Sequence, residues 1–380
     1  MPDRLTYLDH AATTPLRPEA ADAMAPWLGG RFGNPSGAHR VARAARRAVD
    51  EARDAVAAAV GCRPGDVVFT SGGTEADNLA VTGVPAARPG RVLCSAVEHE
   101  AVLAPVAAGG GGCTVPVDAS GAVDVDALAG VLGPDVTLVS VMAANNEVGT
   151  IQPVAAVAEA VRRRAPGAAV HADAVQAAPW LDLPALVAGA DLVSVSSHKV
   201  GGPQGVGALV VRPGTPLRAR ALGGGQEREL RSGTHNVADI VGFAAALAAA
   251  VATRAEAAAR VRALADRLAD GLVAAVPGAV ETVPDRAARL PGLVHLCVPG
   301  TESEALLFLL DEAGVCASAA AACASGAHQD SHVLAAMGVP RARAAGALRL
   351  SLGWSSTGAD VDHALAVIPA AAARLREGAA

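Results

Sequence analysis

Residues 67–81 read VVFTSGGTEADNLAV and give the clearest indication of the fold. The first four, Val67–Thr70, form a short β-branched and aromatic run that is typical of a buried strand. Small residues follow at once, and a helical pattern begins over residues 75–81. A strand that passes through a tight turn into a helix is the repeating unit of α/β proteins with parallel sheets.

The same alternation continues beyond this unit. Further strands are predicted at Arg91–Ser95, 136–142, 169–172, Leu192–Ser196 and Gly207–Val211. Helices are predicted at Val154–Arg164 and, as one or two long helices, at 236–267. Near-continuous apolar strands separated by helices indicate a mainly parallel sheet that is covered on both faces. From residue 271 onward, strands and helices mix in a pattern that predicts a smaller α+β domain.

The composition excludes several classes of protein. The chain has 380 residues, of which 52% are hydrophobic, and a formal net charge of -6. This length supports a large core without disulfides or metals, and the acidic balance disfavours nucleic acid as a partner. The opening residues show no apolar signal segment, and no membrane span is expected, so we expect a cytoplasmic protein. The alanine-rich stretch 242–252 is expected to be a short buried helix.

Six cysteines occur, and their spacing matches no zinc template, so no metal site is expected. Most should be inert buried thiols, including Cys316. Cys323 differs because it lies in ASAAAACASG, residues 317–326, a run of small residues that offers little to pack. This setting favours a mobile nucleophile.

Lysine is the most informative residue type. Of the 31 lysines and arginines, Lys199 is the single lysine. It follows the strand Leu192–Ser196 and precedes a glycine-rich turn, 201–207. A lysine on a surface loop is usually solvated, but this position favours a chemical role. A primary amine can form a Schiff base with an aldehyde cofactor.

Three further clusters follow predicted strands or glycine runs. Small residues at 70–75 precede a helix and suit an anion, although a plain capped turn fits as well. Asp173 follows the strand 169–172 and suits a cation such as a protonated pyridine nitrogen, or it caps a turn. Residues 231–234 offer a second polar arm. Together these features predict pyridoxal phosphate chemistry on a sulfur substrate.

Ordered motifs cover nearly the whole chain. They are YLDHAATTP (7–15), FGNPSGAH (32–39), VVFTSGGTEADNLA (67–80), VEHEAV (97–102), NNEVGTIQP (145–153), HADAVQ (171–176), SSHKVGGPQGVGAL (196–209), GGGQERELRSGTHN (223–236), GVCASAAAACASG (314–326) and LRLSLGW (348–354). With these motifs the chain resembles the NifS/IscS-like cysteine desulfurases, in the class V aminotransferase group of pyridoxal phosphate enzymes. The resemblance implies fold type I with a seven-stranded, mainly parallel sheet. It further implies a large domain at 15–254, a small domain from 1–14 and 255–380, and a homodimer.

The resemblance also implies a role for each matching residue. Lys199 would bind pyridoxal 5'-phosphate, Asp173 would pair with its ring nitrogen, and His99 would stack on the ring and carry protons. Asn146 and Gln176 would contact the cofactor ring. The phosphate would be held by Gly73, Thr74, Ser196 and His198 and, from the second subunit, by Thr234.

Asn34 and Arg349 would bind the carboxylate of L-cysteine, and Cys323 would take its sulfur as a persulfide while alanine leaves. The acceptor would be a protein such as an iron–sulfur scaffold or a thiolation factor. The family pattern is altered at 319–321 and Ala324, where alanines replace glycine and hydroxyl residues, so loop reach and turnover stay open. A selenocysteine lyase, another class V aminotransferase-type enzyme and a catalytically poor sulfur-relay component are the alternatives.

Overall fold

The structure is a computed structural model that describes residues 5–319 and 331–378. Its strands are β1 (Thr6–Tyr7), β2 (Val67–Thr70), β3 (Arg91–Ser95), β4 (Cys113–Val115), β5 (Val136–Ser140), β6 (Ala169–Asp173), β7 (Leu192–Ser196), β8 (Gly207–Val211), β9 (Val280–Glu281), β10 (Leu293–Cys297), β11 (Val315–Cys316) and β12 (Ala347–Ser351). Its α-helices are α1 (Pro18–Leu28), α2 (Arg40–Val60), α3 (Gly73–Ala87), α4 (Glu100–Ala108), α5 (Val125–Val131), α6 (Val154–Arg164), α7 (Leu183–Leu186), α8 (Val237–Ala275), α9 (Ser303–Glu312), α10 (His332–Ala336), α11 (Arg341–Ala344) and α12 (Gly358–Gly378).

Seven strands form one large sheet in the order β2-β8-β7-β6-β5-β3-β4. β8 runs antiparallel to both of its neighbours, and every other pair in this sheet is parallel. The predicted α/β fold with a seven-stranded, mainly parallel sheet is therefore confirmed. β5 ends at Ser140, two residues before the predicted end at Met142, because the Met142 amide donates to Glu98 Oε1 at 2.6 Å rather than to a strand.

Apolar side chains cover both faces of the large sheet. On β2, Val67 and Phe69 join a core cluster with α2, α6 and α8, whereas Val68 packs with α3 and α4 on the opposite face. Burying each such side chain contributes about 1.5–3 kcal/mol relative to leaving it in water. The sheet is thus firmly held, and the carboxyl ends of its parallel strands lie along one edge, where ligands of α/β proteins bind.

The remaining strands form two small sheets. β12-β10-β9 is antiparallel, and β1 pairs in parallel with β11. They pack with the C-terminal part of α8 and with α9 and α12 around a second core cluster that includes Leu8, Leu268 and Leu310. The smaller α+β unit therefore has its own core. The division of the chain at residues 14/15 and 254/255 stays a prediction.

α8 corrects the expected helix lengths. It is one helix of 39 residues, and the stretch 242–252 is a part of it rather than a short helix of its own. Alanine has the highest helix propensity, and its abundance here lets the helix continue for about eleven turns. Among the described helices, α8 alone has the length and composition to cross a membrane, and half of its most apolar window is buried inside the protein.

Candidate active site

β2 leads through Ser71 and Gly72 into α3, and this turn forms one wall of a cleft that we call the β2–α3 cup. Gly72 has φ 150°, and a Cβ at Gly207 would lie 2.9 Å from its Cα. A Cβ at Gly73 would lie 2.9 Å from Val175 Cγ2. Glycine therefore keeps the cup open. The cup encloses about 360 Å³. It is lined by Ala12, Thr13, Ser71, Gly72, Gly73, Thr74, Glu75, Ser196, His198, Gln204 and Gly205.

The chemistry of the β2–α3 cup suits an anion. α3 has 15 residues, and its first N–H groups and positive dipole end open into the cup. Burial and the charge of Lys199 lower the pKa of His198 to about 4, so its ring is neutral at pH 7. The ring pairs through Nδ1 with Thr13 Oγ1 at 3.1 Å. All four residues predicted to bind phosphate from within the chain line the cup.

Lys199 ends a single turn, Ser197–Lys199, that follows β7 directly. Its ammonium group donates hydrogen bonds to the carbonyl oxygens of Ala11 and Ala12, the latter at 2.7 Å. Gln176, predicted to contact the cofactor ring, donates from Nε2 to Ala11 O at 2.7 Å. The N-terminal segment thus contacts the lysine directly. No sequence pattern indicated this contact, because the acceptors are backbone carbonyls.

Asp173 is the last residue of β6 and is only 6% exposed. Its Oδ1 accepts a hydrogen bond from the Val175 amide at 2.9 Å. Burial raises the pKa of Asp173, and the Val175 hydrogen bond and the charge of Lys199 offset only part of this rise. A cationic ring nitrogen bound at this carboxylate would stabilise its ionised form further.

His171 and Asp77 are buried next to Asp173, and the sequence analysis gave neither a role. The His171 ring lies between the hydroxyls of Ser140 and Ser194, at 2.8 and 2.9 Å, and burial lowers its pKa to about 3. Asp77 Oδ1, on α3, lies 3.6 Å from His171 Nε2 and has no hydrogen-bond partner among the described residues. Burial and the charge of Asp173 raise the pKa of Asp77. For Asp77, the sequence did offer a signal for a buried functional acid: an acidic residue on the apolar face of the helix predicted over residues 75–81.

Glu98 and His99 link α4 to the sheet. Glu98 is fully buried, and its Oε1 accepts from the Met142 amide. Burial and the charge of Asp173 raise the pKa of Glu98. His99 caps α4 by accepting a hydrogen bond at Nδ1 from the Ala101 amide at 3.1 Å, and burial lowers its pKa. The neutral ring therefore carries its proton on Nε2.

Arg349 lies on β12 and is buried. One terminal nitrogen donates to Asn146 O at 2.9 Å and the other to Asp9 Oδ1 at 2.8 Å. Its Nε has no hydrogen-bond partner within the described part of the chain. Asn34 is exposed, and its Oδ1 accepts from the Ser36 amide at 3.0 Å. The structure therefore brings Arg349 to Asn146, a predicted ring contact, and among the described residues no hydrogen bond joins Arg349 to Asn34.

Thr234 lies on the loop of residues 223–236, which we call the GGGQ loop. It is exposed and does not line the β2–α3 cup of its own chain. Arg231, on the same loop, pairs with Glu75 of α3 at 2.9 Å. The GGGQ loop is thus tied to the cup, while the predicted reach of Thr234 into a second subunit stays a prediction.

Cys323 lies outside the described residues, but the chain on both sides of it is anchored. Ser318 exchanges two backbone hydrogen bonds with Arg349, at 3.2 and 2.7 Å. His332 Nε2 pairs with the carbonyl oxygen of Glu98 at 2.9 Å. The first anchor reaches Arg349, a residue of the site, and the second reaches Glu98, the neighbour of His99.

These groups together fit pyridoxal 5'-phosphate. The β2–α3 cup supplies amides and hydroxyls for a phosphate, with the space at Gly73 that a Cβ would fill. Lys199 supplies the primary amine, and Asp173 supplies a buried carboxylate for a protonated ring nitrogen.

Comparisons with known proteins agree with this geometry. The model of the family described as aminotransferase class-V matches residues 6–364. An IscS-like cysteine desulfurase from Mycobacterium tuberculosis is 46% identical over 99% of this chain and 98% of its own length. A solved structure of a NifS-like protein has a TM-score of 0.90 at 36% identity, covering 97% of this chain and 99% of that one. A structure of SspA in complex with cysteine has a TM-score of 0.78 at 29% identity, covering 91% and 98%.

The chain belongs to the class V aminotransferases, a family of pyridoxal phosphate-dependent enzymes. Within that family it groups with the cysteine desulfurases of the NifS/IscS type, and the activity predicted from the motifs is thereby confirmed. The alternatives of a selenocysteine lyase or another class V activity are not favoured by these relatives.

Proposed function

We propose that Cys323 takes the sulfur atom of L-cysteine as a persulfide and passes it to a protein acceptor. The observation that carries this proposal is the anchoring of the chain on both sides of Cys323. Ser318 is bonded to Arg349, and His332 is bonded to Glu98, the neighbour of His99. Both anchors place the ends of the cysteine segment beside the candidate site.

Pyridoxal phosphate, when bound, supplies an electron sink that weakens bonds around the substrate Cα and Cβ. The β2–α3 cup would hold its phosphate through Thr74, Ser196 and the neutral ring of His198, and the buried carboxylate of Asp173 would keep a proton on its ring nitrogen. The Lys199 amine would bind its aldehyde carbon, as amines of catalytic lysines do. Released by the amino group of the substrate, the same amine would move the proton of Cα.

The remaining residues would bind substrate and transfer sulfur. Arg349 would hold the substrate carboxylate, since its guanidinium is buried and its Nε has no partner among the described residues. A bond then forms between Cys323 Sγ, acting as a thiolate, and the substrate sulfur, while the bond from that sulfur to Cβ breaks. The electron pair of the broken bond stays with the carbon fragment, which takes a proton and leaves as alanine.

The test is the substitution Cys323→Ala, with Cys316→Ala as the matched thiol control. Cys323→Ala should keep the cofactor absorbance but lose persulfide formation and at least about 99% of alanine release, because the sulfur has no nucleophile. Cys316→Ala should retain persulfide formation and alanine release. Sulfide or persulfide production at the native rate by Cys323→Ala would contradict the proposal.

We further propose a homodimer that works in the cytoplasm. Exposed apolar side chains support a partner surface: Leu28, Phe32 and Leu222 are 71, 73 and 86% exposed. In such a dimer, Thr234 would reach the β2–α3 cup of the partner subunit. The IscS-like name of the mycobacterial relative supports an iron–sulfur scaffold as acceptor, with a thiolation factor as the alternative.

A further inference from the structure

Glu227, in the GGGQ loop, has a buried carboxylate whose two oxygens each accept two hydrogen bonds. Its side chain is 1% exposed. Oε1 accepts hydrogen bonds from Arg53 and from His235 Nε2, both at 2.6 Å. Oε2 accepts from Arg53 at 2.8 Å and from the Phe69 amide at 2.7 Å. These bonds lower the pKa of Glu227 to about 2. The carboxylate therefore joins α2, β2 and the GGGQ loop as a permanent anion.

The backbone at Glu227 is strained. Glu227, Arg228 and Glu229 have φ values of 46, 59 and 62°, so three successive residues with side chains adopt the left-handed conformation. Left-handed backbone is unfavourable for residues with a Cβ, and it persists where surrounding contacts hold it. The four hydrogen bonds of the Glu227 carboxylate are such contacts.

The amide that Glu227 accepts from belongs to β2, at the entrance to the β2–α3 cup. Phe69 is the third residue of β2, and Ser71, which lines the cup, is two residues after Phe69. Arg53 adds two contacts to the same strand: it donates to Val67 O at 2.7 Å, and its guanidinium lies 4.7 Å from the centre of the Phe69 ring. β2 is the edge strand of the large sheet, and on the side away from β8 it is held by Arg53 and Glu227.

A second tie runs from the same loop to the other end of the turn. Arg231 pairs with Glu75, and the Glu75 carboxylate accepts from the Ser71 amide at 2.6 Å. His235, which contacts Glu227, is the neighbour of Thr234. The GGGQ loop therefore contacts the cup turn from both sides, without lining the cup itself.

We propose that the Arg53–Glu227 pair positions the β2–α3 cup for a phosphate group. Neither residue lines the cup, so both are positioning residues. The inference rests on the proposed function only in naming the phosphate of pyridoxal phosphate as the anion. Loss of the pair would release the end of β2 and the strained loop together, and the amides of the cup would lose their alignment.

The test compares pyridoxal 5'-phosphate with pyridoxal, which lacks the phosphate, in binding to the full chain freed of cofactor. The absorbance of the Lys199 adduct reports each dissociation constant. Glu227→Gln should weaken binding of pyridoxal phosphate about tenfold or more, which corresponds to the loss of about one charge-assisted hydrogen bond. Binding of pyridoxal should change less than about twofold. A role in overall stability alone would weaken both ligands alike.

Glu281→Gln is the matched control. Glu281 is a largely buried carboxylate that pairs with Arg286 and Arg289, away from the cup. This variant should lower the melting temperature but leave the ratio of the two dissociation constants unchanged. Arg53→Lys provides a second variant if Glu227→Gln fails to fold. It keeps the positive charge but loses the bidentate pairing with Glu227. It should therefore also weaken binding of pyridoxal phosphate more than binding of pyridoxal.

The outcomes separate the two proposals. A native chain that prefers pyridoxal phosphate, with a Glu227→Gln or Arg53→Lys chain that keeps the full preference, would overturn the positioning role alone. A native chain without any preference would overturn the phosphate site of the proposed function and the positioning role with it.

Discussion

At the scale of single residues, Lys199 stands apart from 30 arginines because only its side chain can do the required chemistry. The arginine guanidinium has a pKa above 12 and stays charged, so it cannot act as an amine nucleophile. In the structure, two backbone carbonyls accept hydrogen bonds from the Lys199 amine. N-terminal residues also hold the turn around Lys199: Thr14 Oγ1 donates to His198 O, and Arg17 Nε donates to Val200 O.

Arg17→Met tests that support. The Arg17 amide donates to Gly201 O at 2.7 Å, its Nε donates to Val200 O at 3.0 Å, and its guanidinium lies 4.8 Å from the Trp354 ring centre. Removing the guanidinium should lower the free energy of unfolding by about 1–3 kcal/mol. It should also slow adduct formation at Lys199 by pyridoxal and pyridoxal phosphate to the same degree. Urea unfolding and stopped-flow absorbance measure the two effects, and an unchanged rate with both aldehydes would contradict the supporting role.

At the scale of elements, the first turns of α3, the turn between β3 and α4 and the end of β6 bring three carboxylates together. Asp77, Glu98 and Asp173 are all buried, and the charge of Asp173 raises the pKa of both of the others. Three neighbouring carboxylates cannot all ionise without cations among them. We therefore expect Asp77 and Glu98 to be neutral acids, which leaves Asp173 to ionise when a ring nitrogen is bound.

Glu98→Gln tests this arrangement through the pH dependence of stability. The pKa of Glu98 is higher in the folded chain than in the unfolded chain, so the unfolded chain loses this proton first as pH rises. Native stability should therefore fall relative to Glu98→Gln above about pH 4.5, by about 1.4 kcal/mol per pH unit, until the folded chain also loses the proton. Urea unfolding of the cofactor-free chains at pH 5 and pH 8 measures the difference.

The control for this experiment is Glu159→Gln, because Glu159 is 69% exposed on α6 and, within the described part of the chain, forms an ion pair with Arg163 alone. Its stability difference from the native chain should be the same at both pH values. A Glu98→Gln difference that is equally flat would mean that Glu98 is ionised in the folded protein.

The elements also show how far the sequence predicts the structure. β2, β3, β7, β8 and α6 have the predicted bounds, because local runs of β-branched or helix-forming residues define them. The predicted cup residues and Asp173 also lie at strand ends as expected. Contacts between distant residues were not predictable: Glu227 pairs with Arg53 across 174 positions, and Lys199 donates to Ala11 across 188. Local patterns carry no information on such partners.

At the scale of the whole molecule, the site is built from both cores. The β2–α3 cup, Asp173 and Lys199 belong to the large sheet, whereas Arg349 belongs to the antiparallel sheet of the smaller unit. The bond from Arg349 to Asn146 O joins the two. We therefore expect substrate binding to need residues from both units. The central claim is that Lys199 holds the cofactor.

The single lysine makes that claim directly testable. We expect borohydride reduction of the enzyme with pyridoxal phosphate to fix one phosphopyridoxyl group per chain, and peptide mass spectrometry to locate it at Lys199. The α-amino group is the only other primary amine of the chain and serves as an internal control. A label at the α-amino group, or no label in cofactor-saturated protein, would contradict the account.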